Sequence, residues 1–232
     1  MQPKDVSEST RFRILREAAA LFAAKGYHGT STRDIAVAAE LRQPTLYWHF
    51  PTKQSIMIEL IDTDITAAAL ACSEIVKADA SAGARLFRFV HFDMTQLALS
   101  PYNLVAIYDT QVLDAPEFAE VNRKGKQITR GVRSLLRDGI ESGQLAHTDL
   151  AMGRELIYAV ELHAGRAARS LRAAERKRLP GAFSEFALRG LLADPATLED
   201  VRDEAMRIIL PESVTQGAFD EYFRKGAPKP VG

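Results

Sequence analysis

Apolar residues in this chain recur at three- and four-residue spacing, and runs that alternate apolar with polar are nearly absent. That periodicity builds helices with one apolar stripe and supplies no half-buried strand, so the expected fold class is all-α. Caps and breakers cut the pattern into segments. A first helix runs from about Ser9 to Lys25 and stops at Gly26, a residue suited to a left-handed C-terminal turn. Ser31 opens a second, with Asp34 three residues on as a short capping box. After a break at Glu40-Leu41-Arg42, a short third helix runs from Gln43 or Pro44 to Phe50. Pro44 suits the first turn, where its missing N–H costs nothing. Pro51 ends that helix, and Thr52 caps a long fourth reaching about Lys77.

Further helices are expected over about 81–99, 100–112, 116–143, 149–174, 184–192 and 194–210, with a weak one over 212–225. The charged stretch Glu175 to Gly181 reads as a loop. The organisation predicted is a three-helix head over 9–55 and a larger helical body over 56–225, with the boundary inside the fourth helix.

Composition narrows the classes. A chain of 232 residues that is 47% apolar buries a substantial core, which excludes wholesale disorder. The single cysteine, Cys72, excludes disulfide scaffolds and cysteine-rich zinc modules and fits a reducing cytoplasm. No run of about eighteen apolar residues suggests a membrane helix, and Met1 to Thr10 lacks the apolar stretch of a secretory signal. The 30 basic and 30 acidic residues cancel overall, yet residues 1–55 carry eight basic against five acidic. A mildly basic head points weakly to an anionic partner.

Within Thr32–Phe50, Ile35, Ala39, Leu41, Leu46 and Phe50 can share one small core, with Ala36 where two helices approach closely. The other side then shows Arg42, Gln43, Thr45, Tyr47, Trp48 and His49. Two short helices around a tight break form a helix-turn-helix, whose second helix fits the major groove of DNA. Arg42 and Gln43, at its leading end, suit guanine and adenine edges. Thr30, Ser31, Thr32 and Arg33 lie at a helix start, where backbone N–H groups favour a phosphate, and Lys53 lies at another. The alternative for Tyr47 and Trp48 is a place among the core aromatics, and for His49 packing at the head–body junction.

The stretches Ala18-Ala19-Ala20-Leu21-Phe22, Lys25-Gly26-Tyr27, Gly29-Thr30-Ser31-Thr32, Asp34-Ile35-Ala36 and Thr45-Leu46-Tyr47-Trp48-His49-Phe50 with Lys53 resemble the DNA-binding head of tetracycline-repressor (TetR) type regulators. The resemblance spans about residues 9–60. It implies a bacterial homodimer that binds a near-palindromic double-stranded operator, and a C-terminal domain that takes a small effector. On it, Thr30, Ser31, Thr32, Arg33, Arg42, Gln43, Pro44, Thr45, Tyr47, Trp48, His49 and Lys53 are the expected DNA-binding residues. The function implied is a ligand-responsive repressor; an activator or an effector-independent DNA-binding dimer would share the same head. Three positions depart from the family pattern: Glu40 where the turn usually has Gly, Arg42 where a small hydroxyl residue usually caps, and Pro44.

The body is less specific. In the 81–99 helix, His91 and Asp93 interrupt a crowd of Phe87, Phe89, Val90, Phe92, Met94 and Leu97. Small-molecule pockets are mostly apolar with a few polar anchors, so Phe89, Phe92, Asp93, Tyr102, Tyr108 and His163 are the expected pocket residues, ordinary core being the alternative for each. Arg123, Lys126, Arg130, Arg133 and Arg137 form a basic stripe that reads first as the wet side of an amphipathic helix. Gly153, Leu156, Ile157, Val160, Ala164, Ala167, Ala168 and Leu171 line one side of the 149–174 helix, which with the 194–210 helix is expected either in a four-helix dimer bundle or in intramolecular packing. No nucleophile elbow, phosphate-binding glycine loop or metal-ligand spacing occurs, so neither an enzyme nor a cofactor or metal is expected.

Overall fold

The computed structural model describes residues 9–100, 113, 115–147 and 149–215. Among these there is no strand; the sole ladder contact is an isolated antiparallel bridge between Leu145 and Leu192. The elements are α1 (Thr10–Lys25), α2 (Thr32–Ala38), α3 (Gln43–His49), α4 (Lys53–Lys77), α5 (Ala82–Leu99), α6 (Ala119–Glu141), α7 (Leu150–Ala168), α8 (Ala173–Leu191), α9 (Leu198–Arg207) and α10 (Glu212–Thr215). No helix of the described residues is long and apolar enough to cross a membrane. The helix expected over 100–112, and with it Tyr102 and Tyr108, lies outside the described residues.

Local chemistry sets the helix ends. Gly26 stops α1 at φ 75°, its N–H reaching the Phe22 carbonyl at 2.9 Å. The Ser31 hydroxyl accepts from the Asp34 N–H at 3.1 Å, while the Asp34 carboxylate accepts from the Ser31 N–H at 2.9 Å. Thr52 and Ser55 make the same reciprocal pair at the start of α4. Each pair satisfies orphan donors of a first turn.

Helix α4 is the structural axis. At 1.5 Å per residue it is about 37 Å long. Its first half (Ile56, Met57, Leu60, Ile61, Ile65) joins α1–α3 in one hydrophobic cluster, which also takes in Phe118 and Val121. Its second half (Ala67, Ala71, Cys72, Ile75) belongs to a second cluster built around α5. The apolar core of the three short helices therefore runs past residue 55 into α4. Polar ties reinforce the join: Gln54 donates to Glu117 at 2.9 Å, and Lys124 donates to Asp62 and to the Thr66 hydroxyl.

Helix α5 is buried on most of its circumference and packs against α4, α6, α7, α8 and α9. Gly131 of α6 permits a close approach to α4: a Cβ there would stand 2.3 Å from the Cys72 sulfur. The basic stripe of α6 is solvent-exposed throughout, the outcome its amphipathic pattern favoured.

One expectation is corrected. The stretch 175–181 is not a loop: α8 runs unbroken from Ala173 to Leu191 with Pro180 inside it. Proline within a helix costs about 3 kcal/mol. Burial of Pro180, Phe183, Ser184 and Leu188, on a helix packed along α5, offsets that cost, and the Ser184 hydroxyl donates to the Pro180 carbonyl at 2.8 Å. The stripe read along α7 divides in the folded chain. Its buried face is Gly153, Ile157, Glu161, Gly165 and Ala168, a four-residue repeat containing a carboxylate, while Met152 and Leu156 lie exposed.

Candidate nucleic-acid interface

The break between α2 and α3 is a Schellman turn. Glu40 stands at φ 54°, its N–H reaching Val37 O at 3.0 Å, and Leu41 N–H reaches Ala36 O at 2.8 Å. Those two bonds cap the last carbonyls of α2 and reverse the chain into α3. Glycine is the usual occupant of such a position because a Cβ crowds the following carbonyl, and Glu40 accepts that cost of roughly 1 kcal/mol.

Helix α3 is pinned by two residues and otherwise open. Leu46 and Phe50 are fully buried in the head cluster. Arg42, Gln43, Pro44 and Thr45 are exposed; Tyr47 is 46% exposed and Trp48 81%. The core-aromatic alternative for Tyr47 and Trp48 is thereby excluded in this chain. His49 is half-buried, with the Trp48 ring edge-on to it at 4.6 Å. Arg42 occupies the N-cap position without a side-chain cap bond, which leaves its guanidinium unspent locally.

The frame around α3 is rigidly tied. The Tyr47 and Thr32 hydroxyls lie 3.0 Å apart, joining α3 to the start of α2. Arg11 donates to the His49 carbonyl at 3.0 Å, pairs with Glu59, and lays its guanidinium 4.3 Å over the Phe50 ring. Thus α1, α3 and α4 are clamped at one point.

The residues preceding α2 are less uniform than their sequence suggests. Thr30 is buried, donating its hydroxyl to Gly26 O at 2.9 Å, so its side chain is withdrawn from the surface. Ser31 and Arg33 are exposed. Lys53 points its ammonium into the turn between α1 and α2, donating to Tyr27 O at 2.7 Å and Thr30 O at 2.8 Å, 4.2 Å above the Tyr27 ring. Burial pushes this ammonium below its ordinary pKa. Together with His28, Gly29, Thr30, Ser31, Thr32 and Asp34 it lines an open cleft of about 420 Å³. Asp34 is held below the usual carboxylate range by the Ser31 hydroxyl and N–H, with the charges of Lys25 and Arg33 acting in the same direction.

In the body, Phe89 and Phe92 are buried and Asp93 is half-buried, whereas His163 sits on the exposed side of α7. His163 thus does not face the core that holds the other three. What faces Asp93 is Glu161, with Asp64 of α4 close enough to raise the pKa of both. Neither acid was singled out from sequence. The available signal was Glu161 standing four residues from Ile157 and from Gly165 on a small-residue face.

Comparison with known proteins gives this geometry its class. Residues 14–60 match the family model for bacterial regulatory proteins of the tetR family. The HTH-type transcriptional repressor KstR2 of Rhodococcus jostii is 32% identical over 139 residues, spanning 57% of this chain and 66% of that protein. The fatty acid metabolism regulator protein of Bacillus subtilis is 26% identical over 150 residues, 62% of this chain and 76% of its own. The crystal structure of AmtR from Mycobacterium smegmatis superposes with a TM-score of 0.72 at 29% identity, covering 90% of this chain and all of that one. The chain belongs to the tetR family of transcriptional regulators.

Proposed function

We propose that this protein is a homodimeric, effector-released repressor in which the head (9–55) reads DNA and the body (56–225) binds the effector and the second copy. The observation that carries the DNA-binding role is α3 itself. It is anchored by Leu46 and Phe50 and presents Arg42, Gln43, Thr45, Tyr47 and Trp48 to solvent. A helix held this way enters a major groove with Arg42 and Gln43 toward base edges. Pro44, Thr45, Tyr47, Trp48 and His49 then contact the groove walls, and Ser31, Thr32 and Arg33 the flanking phosphates. Thr30 and Lys53 support the frame rather than touch bases.

The dimer surface we assign to α7 and α8. Helix α9 spends Leu198, Val201 and Ala205 on contacts with α5 and α8, which removes it from the bundle the sequence suggested. By contrast Met152, Leu156 (57% exposed) and Val160 on α7 and Phe186 (70% exposed) on α8 leave an apolar face that a second copy would cover. The two α3 helices would then meet successive major grooves about 34–36 Å apart. An effector favouring another head separation releases DNA, and a tenfold loss needs about 1.4 kcal/mol of differential binding. Such a protein acts by binding, not catalysis, in the cytoplasm.

Selection of bound sequences from random DNA with the full chain, repeated with Arg42→Ala, tests this. A near-palindromic site whose preference relaxes at one base pair per half-site is expected. Failure to enrich any sequence refutes the reading. Sedimentation of Leu156→Glu should show monomers where the parent shows dimers.

A further inference from the structure

Three carboxylates from three helices meet inside the body: Asp64 of α4, Asp93 of α5 and Glu161 of α7. Glu161 is only 4% exposed, and its Oε1 has no hydrogen-bond partner. Its carboxyl group hydrogen-bonds Asp93, and Asp93 and Asp64 each act on it electrostatically. Arg154 acts on Glu161 electrostatically, and its guanidinium is also engaged by other partners. It donates to the Thr129 hydroxyl of α6 at 3.2 Å, pairs with Glu155, and lies 4.8 Å over the Tyr158 ring. Tyr158 and Cys72 also feel Asp93.

Burying like charges together is costly unless something pairs with them. No group of three or more His, Cys, Asp or Glu side chains among the described residues has the convergence a metal ion requires. Buried carboxyl oxygens suit an occupant that carries N–H donors. We propose that Glu161, Asp93 and Asp64 form the recognition end of a site for a small organic ammonium ion. The proposal rests on the reading of the body as the effector domain and supplies the chemical class of that effector. The ammonium donates to Glu161 Oε1 and relieves the repulsion among the three acids. Tyr158, whose ring already carries the Arg154 guanidinium, lies close enough to feel both Asp93 and Glu161, and Phe89, one helical turn before Asp93, is buried. Asp93 is half-buried, whereas Glu161 is buried.

Burial and mutual repulsion raise Asp93 to about 7 and Glu161 well above the carboxylate range, so the empty pair holds a proton at neutral pH. A bound ammonium replaces that proton. Its affinity therefore rises with pH, by about tenfold between pH 6 and 8 for one proton released near pH 7.

The test is calorimetry of the full-length protein with phenethylammonium and with 1,4-diaminobutane, against the neutral 2-phenylethanol and against magnesium and zinc chlorides. At least one ammonium probe should bind, tighten about tenfold from pH 6 to 8, and lose at least tenfold in Glu161→Gln. Asp93→Asn, with helicity checked by circular dichroism, guards against a folding artefact in either variant. The alcohol binding as tightly as its amine, unchanged affinity in both variants, binding of the divalent ions in place of the amines, or no ammonium binding at millimolar concentration overturns the proposal. Release of a selected operator fragment is read in parallel. Release by a neutral or anionic compound without ammonium binding refutes the ligand class and leaves the effector reading standing. Ammonium binding at Glu161 without operator release supports the ligand class and refutes the effector role.

Discussion

Lys53 offers the sharpest contrast between a residue read from its position and one read from its contacts. Its position at the start of α4 suggests a phosphate contact, yet its ammonium is directed at Tyr27 O and Thr30 O and lies over the Tyr27 ring. Lys53→Met keeps the aliphatic stem and removes the ammonium. Hydrogen bonds from a charged group are worth about 1.5–3 kcal/mol each when well buried. Lys53 is only half-buried, and solvent reaches the freed carbonyls, so the pair is worth about 1–2 kcal/mol. The lost cation–π contact adds about 0.5 kcal/mol. A total near 2 kcal/mol corresponds to a urea midpoint lower by about 1 M for a slope of about 2 kcal/mol/M. Trp48, the only tryptophan, reports on the head by fluorescence, and far-UV circular dichroism reports on the whole chain. The second arm is the salt dependence of operator binding. A lost phosphate contact would lower the slope of log Kobs against log[salt] by about 0.9. The structural account expects a destabilised head and an unchanged slope. An unchanged urea midpoint with a slope smaller by about one would refute it and return Lys53 to the phosphates.

Gly131→Ala should destabilise the fold by about 1–3 kcal/mol, because the new methyl would stand 2.3 Å from the Cys72 sulfur. Cys72→Ala on that background should recover part of the loss, a coupling that a double-mutant cycle measures. Glu40→Gly should raise thermal stability by up to about 1 kcal/mol by relieving the strained φ of 54°, with the greater freedom of glycine in the unfolded chain subtracting from the gain. The raised carboxyls of Asp93 and Glu161 bind protons in the folded state at pH values where the unfolded chain has released them. Their contribution to stability is therefore full below about pH 4 and is lost as pH rises through about 7. Urea midpoints should fall over that interval from this source, and Asp93→Asn should flatten the fall; a parent profile that rises with pH and is unaltered in Asp93→Asn would contradict the assignment.

The features legible in the amino-acid order were those decided within one helical turn. Ser31 with Asp34 and Thr52 with Ser55 close their own caps. Gly26 takes the left-handed conformation that ends α1, and Pro44 sits in a first turn. Such bonds link residues three or four apart, so neighbours in sequence suffice to specify them. The helix-turn-helix was legible as two short helices around a tight break, while the departure at Glu40 came from the resemblance to the TetR head; the backbone there stands at φ 54°.

Other features depended on partners far along the chain. Helix α8 continues through Pro180 because α5 lies against it, a gain invisible to a local propensity. Periodicity placed one stripe on α7 but not which flank was buried, so Leu156 and Val160 were grouped with Ile157 although the chain turns Glu161 inward instead. Thr30 and Lys53, adjacent in role when read as DNA-facing residues, are both directed at main-chain carbonyls once α1, α2 and α4 are assembled. The order of residues determined where helices begin and end, since that is a matter of bonds within a turn. Only tertiary packing decided which side chains remain in water and which acids share a desolvated interior, since those depend on surfaces supplied by segments up to a hundred residues away.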